Sequence, residues 1–356
     1  MRQPTAVTLA QLAEFDEVID VRSPAEFDHD HIPGALNCPV LDDAERAEIG
    51  TVYKQVSPFD ARRKGAALVA KNIASHLLSQ FASRGRKWRP LVYCWRGGKR
   101  SEAMVHVLRQ VGWDAAQLDG GYKSYRREVI AQLAALPARY AFCIVCGETG
   151  SGKSRLLPAL REAGAEVLDL EGIARHRGSV LGTMPGESQP TQKGFESGLW
   201  RALVGLDPAR TVFVEAESMK IGDLRVPEAL MRGMRASACV RLEVPFARRV
   251  DLLLEDYQHF FGDRAGLDGK LDCLAGLHGR ETVNGWKALA RDGNWAALVA
   301  SLLECHYDPA YRRSTPTNYP RLAEALRVPC PVPDADGMRA AAAEIVKATA
   351  AARSLA

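Results

Sequence analysis

The sequence predicts an α/β protein with two parallel-sheet domains in series, the second carrying a helical C-terminal part. Three observations predict it. Apolar, strand-length runs alternate with helical runs from residue 17 to residue 121. A second alternation starts at residue 140, where an apolar strand, a glycine-rich loop and a helix follow one another. The 356 residues are 47% hydrophobic and 25% charged, enough apolar surface for two cores.

The elements follow in order. EVIDVRS (17–23) reads as a buried strand that ends in a turn at Ser23-Pro24. HIPGALNCPV (31–40) combines Pro-Gly punctuation with a short apolar run, and VAKNIASHLLSQFAS (69–83) has helical spacing. PLVYC (90–94) is a strand, RSEAMVHVLRQVGW (100–113) a helix, and AAQLDGG (115–121) a last strand with its turn. A helical run stops at Pro137, which places the boundary between domains 1–136 and 137–356.

The second domain opens with YAFCIVC (140–146) and KSRLLPALREAG (153–164), and EVLDL and TVFVEAE read as further strands. After about residue 225 the apolar spacing is mostly helical, through RRVDLLLEDYQHFF and WAALVASLLECHY to an alanine-rich helical tail. No signal-peptide pattern and no run of about 18 apolar residues is present, so a cytoplasmic protein without a membrane span is expected. The eight cysteines are scattered, as expected of reduced thiols. Cys143 and Cys146 form C-x-x-C, but both fall in the strand before the glycine-rich loop and read as buried strand residues.

Two stretches carry chemistry. In YCWRGGKRS, Cys94 ends a strand, Gly97 and Gly98 let the loop curl, and a helix starts near Ser101. Backbone N–H groups, the helix N-terminus and the cations Arg96, Lys99 and Arg100 would favour a thiolate and a bound oxyanion over it. From Lys54 to Arg109 the chain has 13 Lys+Arg against 2 Asp+Glu, either a solvated face or a site for an anionic partner. In GETGSGKS, residues Gly147, Glu148, Thr149, Gly150, Ser151, Gly152, Lys153 and Ser154 match G-x-x-x-x-G-K-[ST] between a strand and a helix. Such a loop cradles a di- or triphosphate on its N–H groups. Lys153 adds a point charge, and Ser154 is a candidate Mg²⁺ ligand. Glu215, at the end of TVFVE, is either a water-mediated Mg²⁺ partner or a capping or surface glutamate. EGIARHRGSVLG (171–182) and QPTQKGFES (189–197) are expected to face the phosphate site; Arg175, His176 and Arg177 either bind RNA phosphates or are solvated. No metal site is expected at His29 and His31.

DVRSPAEFDHDHIPGALNCP (20–39) and LDGGY (118–122) resemble the signatures of a rhodanese domain, with Asp30 where that family usually has glycine. The resemblance makes Cys94 the chalcogen-carrying cysteine. Its C-x5-R loop is similar in length to that of the phosphatases sharing the fold. The order of YCWRGGKRS, GETGSGKS, LEGIARHRGS and VFVEAES resembles the bacterial tRNA 2-selenouridine synthase family through about residue 260. That implies a rhodanese-like domain followed by a P-loop NTPase-like domain, and a transferase that replaces sulfur by selenium at C2 of wobble 2-thiouridine in tRNA. Selenophosphate would supply selenium to Cys94, with Arg96, Gly97, Gly98, Lys99, Arg100 and Ser101 around the departing phosphate. Geranyl diphosphate would first alkylate the sulfur, with its diphosphate on the phosphate loop. No tightly bound cofactor is implied. A sulfurtransferase or phosphatase fused to a nucleotide-dependent kinase-like domain is the alternative, and a non-enzymatic RNA-binding module the third reading; the intact Cys94 speaks against the last.

Overall fold

A computed structural model describes residues 6–183 and 186–354. The chain divides into two compact units: residues up to 132 with 191–200, and residues 133–190 with those from 201 onward.

In the first unit the strands are β1 (Ala6–Val7), β2 (Glu17–Asp20), β3 (Leu36–Asn37), β4 (Pro90–Tyr93) and β5 (Ala116–Leu118). They pair in parallel in the order β1-β5-β4-β2-β3. The central β4, all four residues buried, is the continuous apolar run that a strand covered on both faces requires. Its helices are α1 (Pro24–His29), α2 (Asp43–Gln55), α3 (Pro58–Leu78), α4 (Lys99–Val111) and α5 (Gly121–Ala135). The predicted helix at 69–83 begins eleven residues earlier, at Pro58, where Ser57 accepts the Asp60 N–H as N-cap. Ile19, Val92, Met104 and Leu108 lie in one core between the sheet and α3 and α4.

In the second unit the strands are β6 (Ala141–Cys146), β7 (Glu166–Leu168), β8 (Thr211–Glu215), the short antiparallel pair β9 (Lys220–Ile221) and β10 (Leu224–Arg225), β11 (Ala238–Glu243) and β12 (Leu326–Pro329). The main sheet is parallel, in the order β12-β11-β6-β8-β7. The part after residue 225 is mostly helical, as expected, and it also contributes two strands to this sheet. β11 pairs directly with β6, and β12 closes the edge. The helices are α6 (Lys153–Glu162), α7 (Leu170–Ala174), α8 (Gln192–Val204), whose residues up to Trp200 group with the first unit, α9 (Glu228–Ala236), α10 (Phe246–Asp256), α11 (Arg264–Asp272), α12 (Ala275–His278), α13 (Arg280–Arg291), α14 (Trp295–Leu302), α15 (Asp308–Asn318) and α16 (Ala335–Ser354). Helices α11 to α14 bury their own apolar core around Trp286, Leu271 and Leu302. Cys143 and Cys146 are buried in β6, and burial pushes the Cys143 thiol up to about 12, as befits packing residues. Among the described residues no helix is long and apolar enough to cross a membrane.

In both sheets the chain order reverses on either side of the central strand. The crevice at the carboxyl ends of β4 and β6 is therefore the place for a ligand. Cys94 and Gly147 follow those two ends directly.

Candidate functional site

Cys94 is buried at the end of β4, beneath the N-terminus of α4. Its Sγ accepts the Gly98 N–H at 3.2 Å and the Ser101 hydroxyl at 3.1 Å. Burial alone would push the thiol up. The Ser101 hydroxyl and backbone N–H, the Arg100 charge and the Gly98 N–H outweigh it, and the thiol lies below its ordinary value. The loop closes over the turn that begins α5. Gly121 sits at φ +56°, and a Cβ there would stand 2.3 Å from the Cys94 carbonyl oxygen, so this approach admits only glycine.

Of the predicted loop residues Gly98 and Ser101 bond the sulfur and the Arg100 charge acts on it, and the three cations of the loop are not equivalent. Arg100 is largely buried and donates to Glu26 at 2.7 Å, which makes it a fixed, half-neutralised cation. Lys99 is exposed and pairs with Glu102 one turn along α4. Arg96 is exposed on the loop. Gln117 on β5 escaped the sequence reading. Its amide donates to the Ser101 Oγ at 2.8 Å and to the Gly98 carbonyl at 3.2 Å. The signature residues around the loop are scaffold. Asp20 and Arg22 form a buried ion pair, Asp30 accepts the Tyr122 hydroxyl at 2.7 Å, and His31 stacks on Phe27 and bonds its carbonyl.

The second site surrounds the start of α6. Thr149, Gly150, Gly152, Lys153 and Ser154 line a cleft of about 360 Å³ together with Glu171, Arg177 and Glu217. The Lys153 ammonium donates to the Gly147 carbonyl at 3.0 Å, held against its own loop. Ser154 donates to Glu171 at 3.3 Å. Glu148 and Ser151 line a separate hollow of mixed character with Arg241, Leu242 and Glu243. The Glu148 carboxylate pairs with Arg249 and Arg312, and the Gly147 N–H donates to the Tyr311 hydroxyl.

Glu215 ends β8 and meets the first turn of α7. The side chain is buried and accepts the Glu171 N–H at 2.7 Å in the first turn of α7. Burial, and then the charges of Asp169 and Glu171, raise its acid well above the usual range. Glu217, two residues on, lines the cleft together with Glu171. Burial and then Glu171 push it up to about 8, which favours its neutral form at neutral pH. Of the flanking stretches, 171–182 contributes Glu171, Arg177, Gly178, Ser179 and Val180 to the cleft. The expectation for 189–197 is corrected: Thr191 bonds the His29 carbonyl and Glu196 pairs with Arg126, all in the first unit. Arg175 is exposed and His176 is buried, accepting the Gly178 N–H.

Two family models match the chain in series. The rhodanese-like domain family matches residues 5–128, and the tRNA 2-selenouridine synthase AAA domain matches residues 140–268. A tRNA 2-selenouridine synthase of Shewanella loihica is 34% identical, over 85% of this chain and 87% of that protein. One of Alcanivorax borkumensis is 32% identical, over 87% and 92%. The chain belongs to the tRNA 2-selenouridine synthase family. The match to the Nitrosomonas europaea synthase, 37% identical over 67% of this chain, spans 63% of that relative's length.

Membership of the tRNA 2-selenouridine synthase family frames the residues that sequence reasoning missed. Gln117 and Glu26 act through partners distant in the chain, which no local motif marks. Glu217 was within reach: EAES alternates, and the residue beyond a strand end turns into the crevice.

Proposed function

We propose that this protein exchanges sulfur for selenium at C2 of 2-thiouridine in tRNA, by way of an S-geranylated base. The observation that carries the reading is the Cys94 sulfur, stabilised as an anion by Ser101 and Gly98 at the head of α4. The exposed cations Lys54, Lys71, Arg86, Lys87 and Arg96 of the same unit suit an RNA backbone.

The first step uses the phosphate loop. The 2-thiouridine sulfur attacks C1 of geranyl diphosphate, the C–O bond breaks, and pyrophosphate leaves with the electron pair while N3 gives up its proton. Lys153 and the loop N–H groups stabilise the charge that develops on the leaving group. Ser154 and Glu171 are the oxygen donors here that suit Mg²⁺, which would neutralise further charge on the diphosphate.

Electron counting refines the role of Cys94. Selenium is at the selenide level both in selenophosphate and in 2-selenouridine. A thiolate that attacked selenium would expel phosphorus with two electrons, as phosphite and not phosphate. Attack of the thiolate at C2 needs no such change. The C2–S(Cys94) bond forms, and geranylthiol leaves after taking a proton. The selenium of selenophosphate then attacks C2 and Cys94 departs as thiolate. Water finally cleaves the P–Se bond, giving phosphate and, with a proton back on N3, 2-selenouridine. The α4 N-terminus and Arg96 favour the selenophosphate oxyanion beside the sulfur.

The test is nucleoside mass spectrometry on 2-thiouridine tRNA incubated with geranyl diphosphate and selenophosphate. Wild type is expected to yield 2-selenouridine. Cys94→Ala is expected to stop at S-geranyl-2-thiouridine, and full selenation by that variant overturns the assignment. ATP consumption with unchanged tRNA would instead favour a kinase-like second domain.

A further inference from the structure

The phosphate cleft opens into a second compartment that the loop motif does not explain. Thr149, Ser179, Leu253, Tyr257 and Tyr307 border both the cleft and a narrow slot beside it. Leu254, Phe261, Trp295, Val299 and Leu302 form much of the remaining wall, and among the described residues no charged side chain lines it. Phe261 and Trp295 stack with centroids 4.6 Å apart. Leu253, Leu254, Phe261, Trp295 and Val299 are only half-buried, although all are apolar.

The backbone settles what this slot can hold. Much of its wall is helical, from α10, α11 and α14, whose N–H and C=O groups are bonded within the helices. A nucleobase or ribose placed there would leave its polar edges with few partners. A hydrocarbon has none to satisfy and would cover the half-buried apolar walls. At the junction the Arg177 guanidinium lies 4.9 Å from the Tyr257 ring centroid, and Lys153 and Ser154 lie in the cleft itself. The site thus grades from cationic to apolar. Hydrogen-bonding groups that suit a nucleoside lie outside the slot, in the cleft at Ser218, Ser314, Asn318 and Tyr319 and in the hollow at Glu148, Arg241 and Glu243.

We propose that this slot takes the hydrocarbon chain of a diphosphate ester whose diphosphate rests on the phosphate loop. The proposal depends on the reading of that loop as a diphosphate site and places the substrate's tail. The slot has about 60 Å³ of open space, so the chain enters by rotating Leu253, Phe261 and Val299 aside.

Calorimetric titration of the full chain with inorganic pyrophosphate, geranyl diphosphate and ATP tests it. Geranyl diphosphate is expected to bind at least about tenfold more tightly than pyrophosphate, from burial of the chain alone. Val299→Trp, which fills the slot, should abolish that advantage while pyrophosphate affinity stays unchanged. Pyrophosphate affinity is also the folding control, and Leu254→Asn is the replacement if Val299→Trp does not fold. Equal affinity of wild type for pyrophosphate and geranyl diphosphate overturns the slot and leaves the loop reading intact. Tighter binding of ATP than of geranyl diphosphate overturns the slot in favour of a nucleotide. Failure of pyrophosphate to bind at all removes the loop reading itself.

Discussion

Gln117 donates both to the Gly98 carbonyl and to the Ser101 oxygen, which leaves the single Ser101 proton for the sulfur. Without that amide, Gly98 O, 3.2 Å from Ser101 Oγ, would compete for the same proton. Ser101→Ala is therefore expected to move the Cys94 thiol upward, and Gln117→Leu to move it the same way by less. Because the anion exists only above the thiol pKa, both variants lose reactivity first on the acid side. Alkylation by iodoacetamide followed against pH reads this, and a loss of about 1 kcal/mol, roughly fivefold in rate at neutral pH, is expected for Ser101→Ala. An unchanged profile in both variants would remove the relay. Glu217 gives the second prediction at this scale. Its acid is raised to about 8 by burial and by Glu171, and it shares the cleft with Lys153. A neutral Glu217 tolerates an anion, and an ionised one repels it. Without divalent metal, binding of sulfate, which does not titrate in this range, should weaken as pH rises through about 8. His306, also in the cleft, sits below its ordinary value through burial and then His278, which moves its titration away from this range. Glu217→Gln should flatten the profile.

The phosphate loop is braced by elements far along the chain. Arg249 on α10 donates to the Thr149 carbonyl at 3.0 Å and forms a two-pronged pair with Asp308 on α15, both nitrogens at 2.8 Å. Arg249 and Asp308 are both buried. Removing one partner strands the other charge, so Arg249→Leu should cost about 3–5 kcal/mol in denaturant unfolding. The double variant Arg249→Leu/Asp308→Leu should recover much of that loss, since an apolar pair leaves no buried charge. Equal losses in the single and double variants would show that the Thr149 contact, and not the ion pair, matters. This brace was not legible in the sequence. Neither was β11, which carries the chain into α10. ACVRLE opens with three apolar residues and alternates apolar and charged only over its last four, too short a run to separate strand from helix, and helical patterns flank it. β4 and β6 were legible because a central strand buried on both faces reads as an unbroken apolar run. α2 was missed for the opposite reason: none of its residues is buried, so no apolar stripe marks it.

At the scale of the whole molecule, the proposed chemistry divides between the two units, with the intermediate carried on the tRNA. In the proposed scheme Lys153 would act only on the departing pyrophosphate, and Cys94 only after the sulfur has been alkylated. Local motifs made both groups legible, because each needs a glycine-bearing turn between a strand and a helix N-terminus. The division of labour makes a sharper prediction than loss of activity. Lys153→Ala should leave 2-thiouridine tRNA unchanged when given geranyl diphosphate and selenophosphate. The same variant, given S-geranylated tRNA and selenophosphate, should make 2-selenouridine at close to the wild-type rate. Cys94→Ala should show the reverse: it geranylates the thiouridine and fails on the geranylated tRNA. Nucleoside mass spectrometry separates the three bases in each reaction. If folded Lys153→Ala also fails on geranylated tRNA, the phosphate loop takes part in selenium entry and the two steps are not divided as proposed. If it succeeds, the charge of Lys153 is needed only while a diphosphate leaves, the role its place in the cleft predicts.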